Sequence, residues 1–248
     1  MGTATLALVG TVQTAKLELT TLAAGSHRFT ATYNGSTDFA ASTSLSITIT
    51  VGKLPSTTTA STSTPAPAPG QDVRLKAVVK AVSGTTKPTG SVTFKEGLTT
   101  LGTAALVLVN TTETAKLTIA GGLPLGKHTI SASYGGSSTF QASVSTTVTL
   151  TVAKGSTLST LTVTPVDANP GKSTIAVAVT AVAPARGVPT GLVTFVVDTE
   201  ASQVYSLTGA GKFQFPVTFP PGSTHTGKVT YGGDSLFNGS TATKSFTS

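Results

Sequence analysis

Tyr134-Gly135-Gly136-Ser137-Ser138-Thr139-Phe140 has two counterparts, Tyr33-Asn34-Gly35-Ser36-Thr37-Asp38-Phe39 and Tyr231-Gly232-Gly233-Asp234-Ser235-Leu236-Phe237. An aromatic, a glycine-bearing turn and a second aromatic thus return 101 and then 97 residues on. A period of about one hundred residues is far longer than a solenoid turn and matches a whole small domain. The chain reads as a tandem array, and its function has to suit a unit used several times.

Outward from that stretch, the second and third copies align over their whole length. Pro65 matches Pro165, Pro69-Gly70 matches Pro170-Gly171, and Pro88-Thr89-Gly90-Ser91-Val92-Thr93-Phe94 matches Pro189-Thr190-Gly191-Leu192-Val193-Thr194-Phe195. The first copy starts midway: Met1-Gly2-Thr3-Ala4-Thr5-Leu6 corresponds to Leu101-Gly102-Thr103-Ala104-Ala105-Leu106. The expected domains are therefore 1–52, the C-terminal half of a sandwich without its front half; 53–153, complete; and 154–248, complete or nearly so.

Period-two alternation of apolar residues runs through every copy, and no window favours a helix. Val73, Leu75, Ala77 and Val79 share one face in the second copy, followed by Val92 and Phe94, then Ala115, Leu117 and Ile119, then Ile130, Ala132 and Tyr134, then Val148, Leu150 and Val152. The first copy repeats only the later strands, with Leu17 and Leu19, Phe29 to Tyr33, and Ile47 to Val51. Ile175, Val177 and Val179 of the third copy are offset by one residue against the second, which predicts a bulge near Gly171. About seven short strands per unit predict an all-β chain of tandem antiparallel β-sandwiches. The short joints Gly52-Lys53-Leu54-Pro55 and Ala153-Lys154-Gly155 predict units arranged end to end with limited swivel, a rod in outline.

Threonine makes up about a fifth of the chain, as suits half-buried pleated surfaces, while charged residues are only 10%. Cysteine is absent, so neither disulfides nor thiolate chemistry is available. No secretion signal and no membrane-span-length apolar run is visible. A net charge of +7 invites an acidic partner, but the basic residues, among them Lys16, Lys76, Lys80, Lys116 and Lys172, are spread singly along the chain. That spacing reads as solvated strand faces, with no specific nucleic-acid site.

Three motifs converge on a family resemblance. They are Pro69-Gly70 with Val73 and Leu75, the run Pro88 to Phe94, and the run Leu123 to Gly136 with His128, Ile130, Ala132 and Tyr134. Together they resemble bacterial immunoglobulin-like repeats of the group 3 type. The resemblance implies immunoglobulin-like sandwiches used as spacer or adhesive arrays in secreted or surface-attached bacterial proteins, and it brings no catalytic residues with it. Ser202 to Phe219 departs from the pattern.

The residues that carry chemistry are dispersed. His27, His128 and His225 each lie six residues before the repeat tyrosine, on its inward parity. With one per unit they cannot share a metal ion, and a hydrogen bond to a nearby loop is their expected role. The tyrosine hydroxyl is expected to tether a loop, as in related sandwiches. Asp198 and Glu200 are the only close acids, and alternation puts both on one strand face with no partner acid. Asp38 and Asp234 sit in the Tyr-to-Phe turn at different offsets, short of the oxygen-rich cluster that calcium requires. The first strands, Ser56 to Ser63 and Ser156 to Val163, contain no lysine for a crosslink to asparagine. Asn34, Asn110 and Asn238 fit the N-glycosylation pattern but read first as turn residues. Pro65, Pro67 and Pro69 are expected to block edge-to-edge pairing. Catalytic, cofactor-binding and metal residues are accordingly expected to be none.

The expected function is that of a non-enzymatic extracellular or cell-surface rod or stalk that spaces, presents or adheres. Two alternatives stand beside it. One is a filament protomer: residues 1–52 hold late strands without their early partners, a state that invites strand addition from another copy. A fragment boundary explains the same half-unit. The other is a set of accessory modules of a secreted hydrolase. Surface glycans or proteins are further expected partners, although tryptophan is absent and Tyr205 alone of four tyrosines stays free for a sugar platform.

Overall fold

A computed structural model describes residues 2–166 and 171–248. Met1 and Pro170, used above as alignment positions, lie outside the described residues. Residues 7–51 form six short strands: β1 (Ala7–Val9), β2 (Val12–Thr14), β3 (Gly25–Phe29), β4 (Thr32–Tyr33), β5 (Ser42–Thr43) and β6 (Ile47–Val51). Nine follow: β7 (Ser56–Thr62), β8 (Val73–Ala81), β9 (Ser91–Glu96), β10 (Thr99–Ala105), β11 (Val107–Val109), β12 (Thr112–Ile119), β13 (Gly126–Tyr134), β14 (Ser143–Val144) and β15 (Val148–Val152). The last seven are β16 (Thr157–Pro165), β17 (Lys172–Ala181), β18 (Leu192–Val197), β19 (Gln203–Ser206), β20 (Lys212–Thr218), β21 (Thr224–Tyr231) and β22 (Ser240–Thr247). No helix occurs among the described residues, and the strand ladders are antiparallel throughout.

Between residues 54 and 152, one sheet runs β11-β12-β8-β7 and the other β10-β9-β13, with β14 and β15 both on the far edge of β13. The alternating residues read from the sequence meet between the sheets: Val73, Leu75, Ala77 and Val79 against Val92, Phe94, Ile130, Ala132, Tyr134 and Leu150, all buried. Sheets β16-β17-β20 and β19-β18-β21-β22 enclose a second core of Ile175, Val177, Val179, Val193, Phe195, Val229 and Tyr231. Each large apolar side chain so buried contributes about 1.5–3 kcal/mol, and that burial drives each pair of sheets together. Ser173 stands where the middle unit has Val73, and its buried hydroxyl finds no partner among the described residues.

The repeated turn has a physical reason for its glycine. Gly136 has φ +83°, and a Cβ there would come within 2.8 Å of the Phe140 carbonyl oxygen. Gly35 and Gly233 share the conformation and the close approach, at 3.0 and 2.7 Å. The turn closes when the Ser137 amide donates to the Phe140 carbonyl at 2.9 Å. Phe140 then packs into the core, where Leu54 meets it in a parallel bridge: the Leu54 amide donates to Thr139 O and the Gln141 amide to Leu54 O, both at 2.8 Å. Gly155 does the same beside Phe237. The residues expected to join units are thus stitched into the unit that follows.

Two expectations from the alignment change. The offset of Ile175, Val177 and Val179 is not a bulge: β17 pairs with β16 and with β20 in unbroken register. The chain from Gly171 to Ser173 is one residue shorter than that from Gly70 to Val73, so the offset falls before the paired strand. The register shift lies elsewhere, between Thr100 and Gly102 on β10. The difficulty of Ser202 to Phe219 comes from a lost strand, because no counterpart of β11 precedes β20. Register equates Phe213 with Ala115, through Val177 and Ala77. The larger rings of Phe213 and Phe215 are covered by Tyr205, stacked at 4.8 and 4.5 Å. Tyr205 is therefore not free for a sugar platform; it closes a gap in its own unit.

Candidate functional site

The repeat histidines act as clasps between a loop and a strand end. Nε2 of His128 donates to Pro124 O at 2.9 Å and Nδ1 to the Glu96 carboxylate at 3.0 Å, the acid standing at the end of β9. Both acceptors lack a proton, so the geometry asks for the imidazolium. Burial alone would lower the His128 pKa, but the Pro124 carbonyl and the Glu96 carboxylate outweigh it and raise the value above 6.5. His27 keeps the loop half of the clasp, with Nε2 donating to Ala23 O at 2.7 Å.

In the last unit the clasp takes another form. His225 Nδ1 donates to Asp198 at 2.8 Å, and Nε2 lies 2.6 Å from the Ser223 hydroxyl. Alternation along a strand placed Asp198 beside Glu200 without a partner. In the structure Asp198 adopts φ +50° after β18, so its carboxylate turns to His225 and to the Thr226 amide at 2.7 Å. Those two donors hold its carboxyl below the usual carboxylate range. Asp198, His225 and Ser223 thus line up as an acid–base–hydroxyl series. Acyl transfer also needs N–H groups aimed at a developing oxyanion. The neighbouring amides of Gly222, Ser223 and Ser248 already donate to Ser248 O, Pro220 O and Ser223 O. The histidine ring is sandwiched with Phe219, at 4.2 Å between centroids, which makes the series a packed clasp. Among the described residues, no three of His, Cys, Asp and Glu gather where they could hold a metal ion.

The tyrosines tie the repeat turn to the Pro-Thr-Gly loop. Tyr134 donates to Thr89 O and Tyr231 to Thr190 O, each at 2.8 Å. Asp234 reinforces the second tether by accepting from the Thr190 amide and hydroxyl at 2.9 and 3.0 Å and from the Leu236 and Phe237 amides at 2.8 and 2.7 Å. Burial would raise its pKa, but these donors prevail and hold it at about 2. Burial, with Asp234 beside it, pushes the Tyr231 hydroxyl up to about 12.

Three surfaces remain. The first is where the two cores meet: the Arg186 amide donates to Pro69 O at 2.9 Å, its guanidinium lies 3.8 Å from Asp72, and Ala68 packs on the second core. The Ala68–Asp72 turn, with Pro69-Gly70 in it, therefore helps to hold the joint. The second is the outer face of β8 and β12. Arg74, Lys76, Lys80 and Lys116 are all exposed there, and Lys76 stands directly opposite Lys116. Pairing across the sheet brings together charges that the sequence spreads singly. The third surface is the inner face of residues 2–51, where Leu17, Leu19, Ile47 and Ile49 stay exposed.

Residues 58–153 match the family model described as bacterial Ig-like domain (group 3). No curated protein sequence matches the chain. Among solved structures, a tetra-tandem repeat in the extending region of a large adhesion protein is 16% identical, with 95% of this chain and 59% of that one covered and a TM-score of 0.41. A segment of two fibronectin type-III domains from chicken tenascin is 15% identical, with 76% and 97% covered and a TM-score of 0.38. This chain spans about three-fifths of the adhesion-protein repeat structure. It is an all-β protein of tandem immunoglobulin-like modules, and its middle module carries the group 3 match. No helix among the described residues is long and apolar enough to cross a membrane.

Proposed function

We propose that the chain is a segment of an extracellular bacterial stalk, in which immunoglobulin-like modules act as spacers that hold an adhesive or catalytic part away from the cell. The observation that carries this reading is the joint. The Ala68–Asp72 turn and Arg186 give consecutive modules a backbone hydrogen bond, an ion pair and an apolar contact. A pendant array on loose linkers would need none of these. The clasps and tethers support it as well, since they spend histidine, tyrosine and acid side chains on holding loops to strands. The basic face of β8 and β12 suits attachment to an anionic surface polymer, an attraction that salt would weaken.

Single-molecule pulling on the full chain tests the spacer role. Two unfolding steps of similar size are expected, each releasing roughly 300 Å of chain. Arg186→Ala should widen the distribution of angles between the two modules in small-angle scattering and leave both steps in place. One cooperative step, or an unchanged angular distribution, would refute the role assigned to the joint. Protease shaving of intact cells tests location, and a chain that is cleaved only after lysis would refute the extracellular reading.

A further inference from the structure

We propose that the outer face of β7, β8 and β12 binds a linear polyol phosphate, a phosphodiester polymer, seating one phosphate among Arg74, Lys76 and Lys116 and a second beside Lys80. This deepens the anionic-polymer attachment above and rests on the extracellular reading for where such a polymer is met. Register builds the site from three strands. Ser61 of β7, Lys76 of β8 and Lys116 of β12 stand in one row across the sheet. Ser63, just past β7, forms the next row with Arg74 and Thr118, its amide donating to Arg74 O at 3.3 Å. All of these residues are exposed, and together they line a concavity of about 450 Å³.

None of Arg74, Lys76, Lys80 and Lys116 makes an ion pair among the described residues. Lys76 and Lys116 stand directly opposite each other, an arrangement that costs stability and that a bound anion relieves. The Arg74 backbone is pinned: its amide donates to the Thr64 hydroxyl at 3.2 Å, and its carbonyl accepts from the Thr62 hydroxyl at 3.0 Å. The root of the guanidinium arm is thus fixed at the rim before any ligand arrives.

The last unit lacks the cradle. There the same two rows read Thr162-Ala176-Gln214 and Thr164-Thr174-Pro216, with no charge in either. Its lysines on those strands, Lys172 and Lys212, stand opposite Thr218 and Ala178. Six residues of β17 separate these two positions, a distance of about 20 Å. In residues 2–51, Lys16 stands where the middle unit has Lys116, and Glu18 pairs with it at 2.7 Å. The cluster therefore does not come with the fold; the middle module carries it separately.

The chemistry of the cradle selects its occupant. Donors rise from three neighbouring strands, so they surround an anion and do not share one plane. A tetrahedral phosphate presents oxygens in several directions to such a set, and an arginine fork holds two of them at once. A planar carboxylate has only two oxygens to offer. Lys80 lies four residues along β8 from Lys76, about 13 Å away, a reach that asks for a second anionic group on the same polymer. Neither row contains an aromatic side chain on which the bases of a single-stranded nucleic acid would stack.

The test titrates the full chain with synthetic poly(glycerol phosphate) and follows binding by calorimetry over a salt series. The logarithm of the affinity should fall linearly with that of the salt concentration. Lys76→Gln with Lys116→Gln should weaken binding by about tenfold or more and make that line shallower. Both lysines are exposed, so the urea midpoint of the middle unit should hold or rise in this variant, showing that the fold survives. Lys172→Gln with Lys212→Gln removes the same charge elsewhere and should leave the affinity within about twofold. Saturating polymer should raise the urea midpoint of the middle unit and leave that of the last unit in place. Equal weakening by the two double variants would overturn the proposal, reducing the site to net charge. So would equal affinity for polygalacturonate of matched charge, or tighter binding of oligothymidylate. Binding is read on the purified chain, so it can fail while the pulling and shaving experiments succeed, and the reverse.

Discussion

Residues 2–51 and residues 100–152 carry the same motifs and meet different fates. Both contain the left-handed glycine, the turn bond to the following phenylalanine, and the histidine Nε2 bond to its loop. Only in the second does the phenylalanine sink into a core, the histidine gain an acid and the tyrosine hydroxyl gain a carbonyl. The difference is the presence of β7–β9. Turns and hairpins follow from local conformational preference, whereas burial needs a second sheet to exclude water.

Phe140→Ala and Phe39→Ala should separate these two levels most sharply. The first removes a buried ring and is expected to cost about 3–5 kcal/mol in urea unfolding of the middle unit. The second removes an exposed ring and should stay within about 0.5 kcal/mol, as surface changes do. Equal costs would mean that the face of residues 2–51 is covered in solution.

Gly136→Ala comes next, at an expected loss of about 1–3 kcal/mol, because it combines a left-handed φ with a 2.8 Å approach to Phe140 O. Gly135→Ala, with nothing within 4 Å, should be nearly neutral by the same thermal melt. A third contrast uses the two units with buried cores, where Asp234 stands at the place of Ser137. The folded pKa of Asp234 lies below its ordinary 3.8, so its contribution is present above 3.8 and lost as pH falls through about 2. The loss should be on the order of 1 kcal/mol after solvent screening, confined to the last unit and absent in Asp234→Ser.

His128 works in the opposite direction. Its folded pKa is raised, so its contribution is full below 6.5 and is lost as pH rises through the folded value. The urea midpoint of the middle unit should fall across that window, and Glu96→Gln should flatten the profile. The smallest effect concerns the basic face. Lys76→Glu replaces a like-charge pair with an attractive one opposite Lys116, and should stabilise by about 0.2–1 kcal/mol at low salt while weakening retention on an anionic column.

The sandwich class was legible because alternation along β8, β13 and β17 writes the inward face directly into the chain. The loop roles of His128 and Tyr134 were legible from their fixed spacing within the repeat. Asp198 was misplaced because alternation stops at a strand end, where a left-handed residue re-aims the side chain. The bulge expected near Gly171 is absent from β17, since an offset in alignment does not say whether a strand or the chain leading into it absorbs the missing residue. Tyr205 escaped because its stacking partners, Phe213 and Phe215, lie in the stretch where the repeat pattern lapses.

Amino-acid order alone therefore told the strand faces and the turn glycines, which depend on neighbours a few residues away, and the repeat period, which recurrence of the same stretch shows directly. Folding in three dimensions settled what no nearby residue controls: the acids that meet His128 and His225, the contact of Arg186 with the Pro69–Asp72 turn, and the gathering of Lys76 and Lys116 on one face. The histidine–acid and lysine–lysine pairings exist because antiparallel register brings distant strands side by side, at spacings set by turn lengths and not by any single residue. The Arg186 contact instead joins loops of two units.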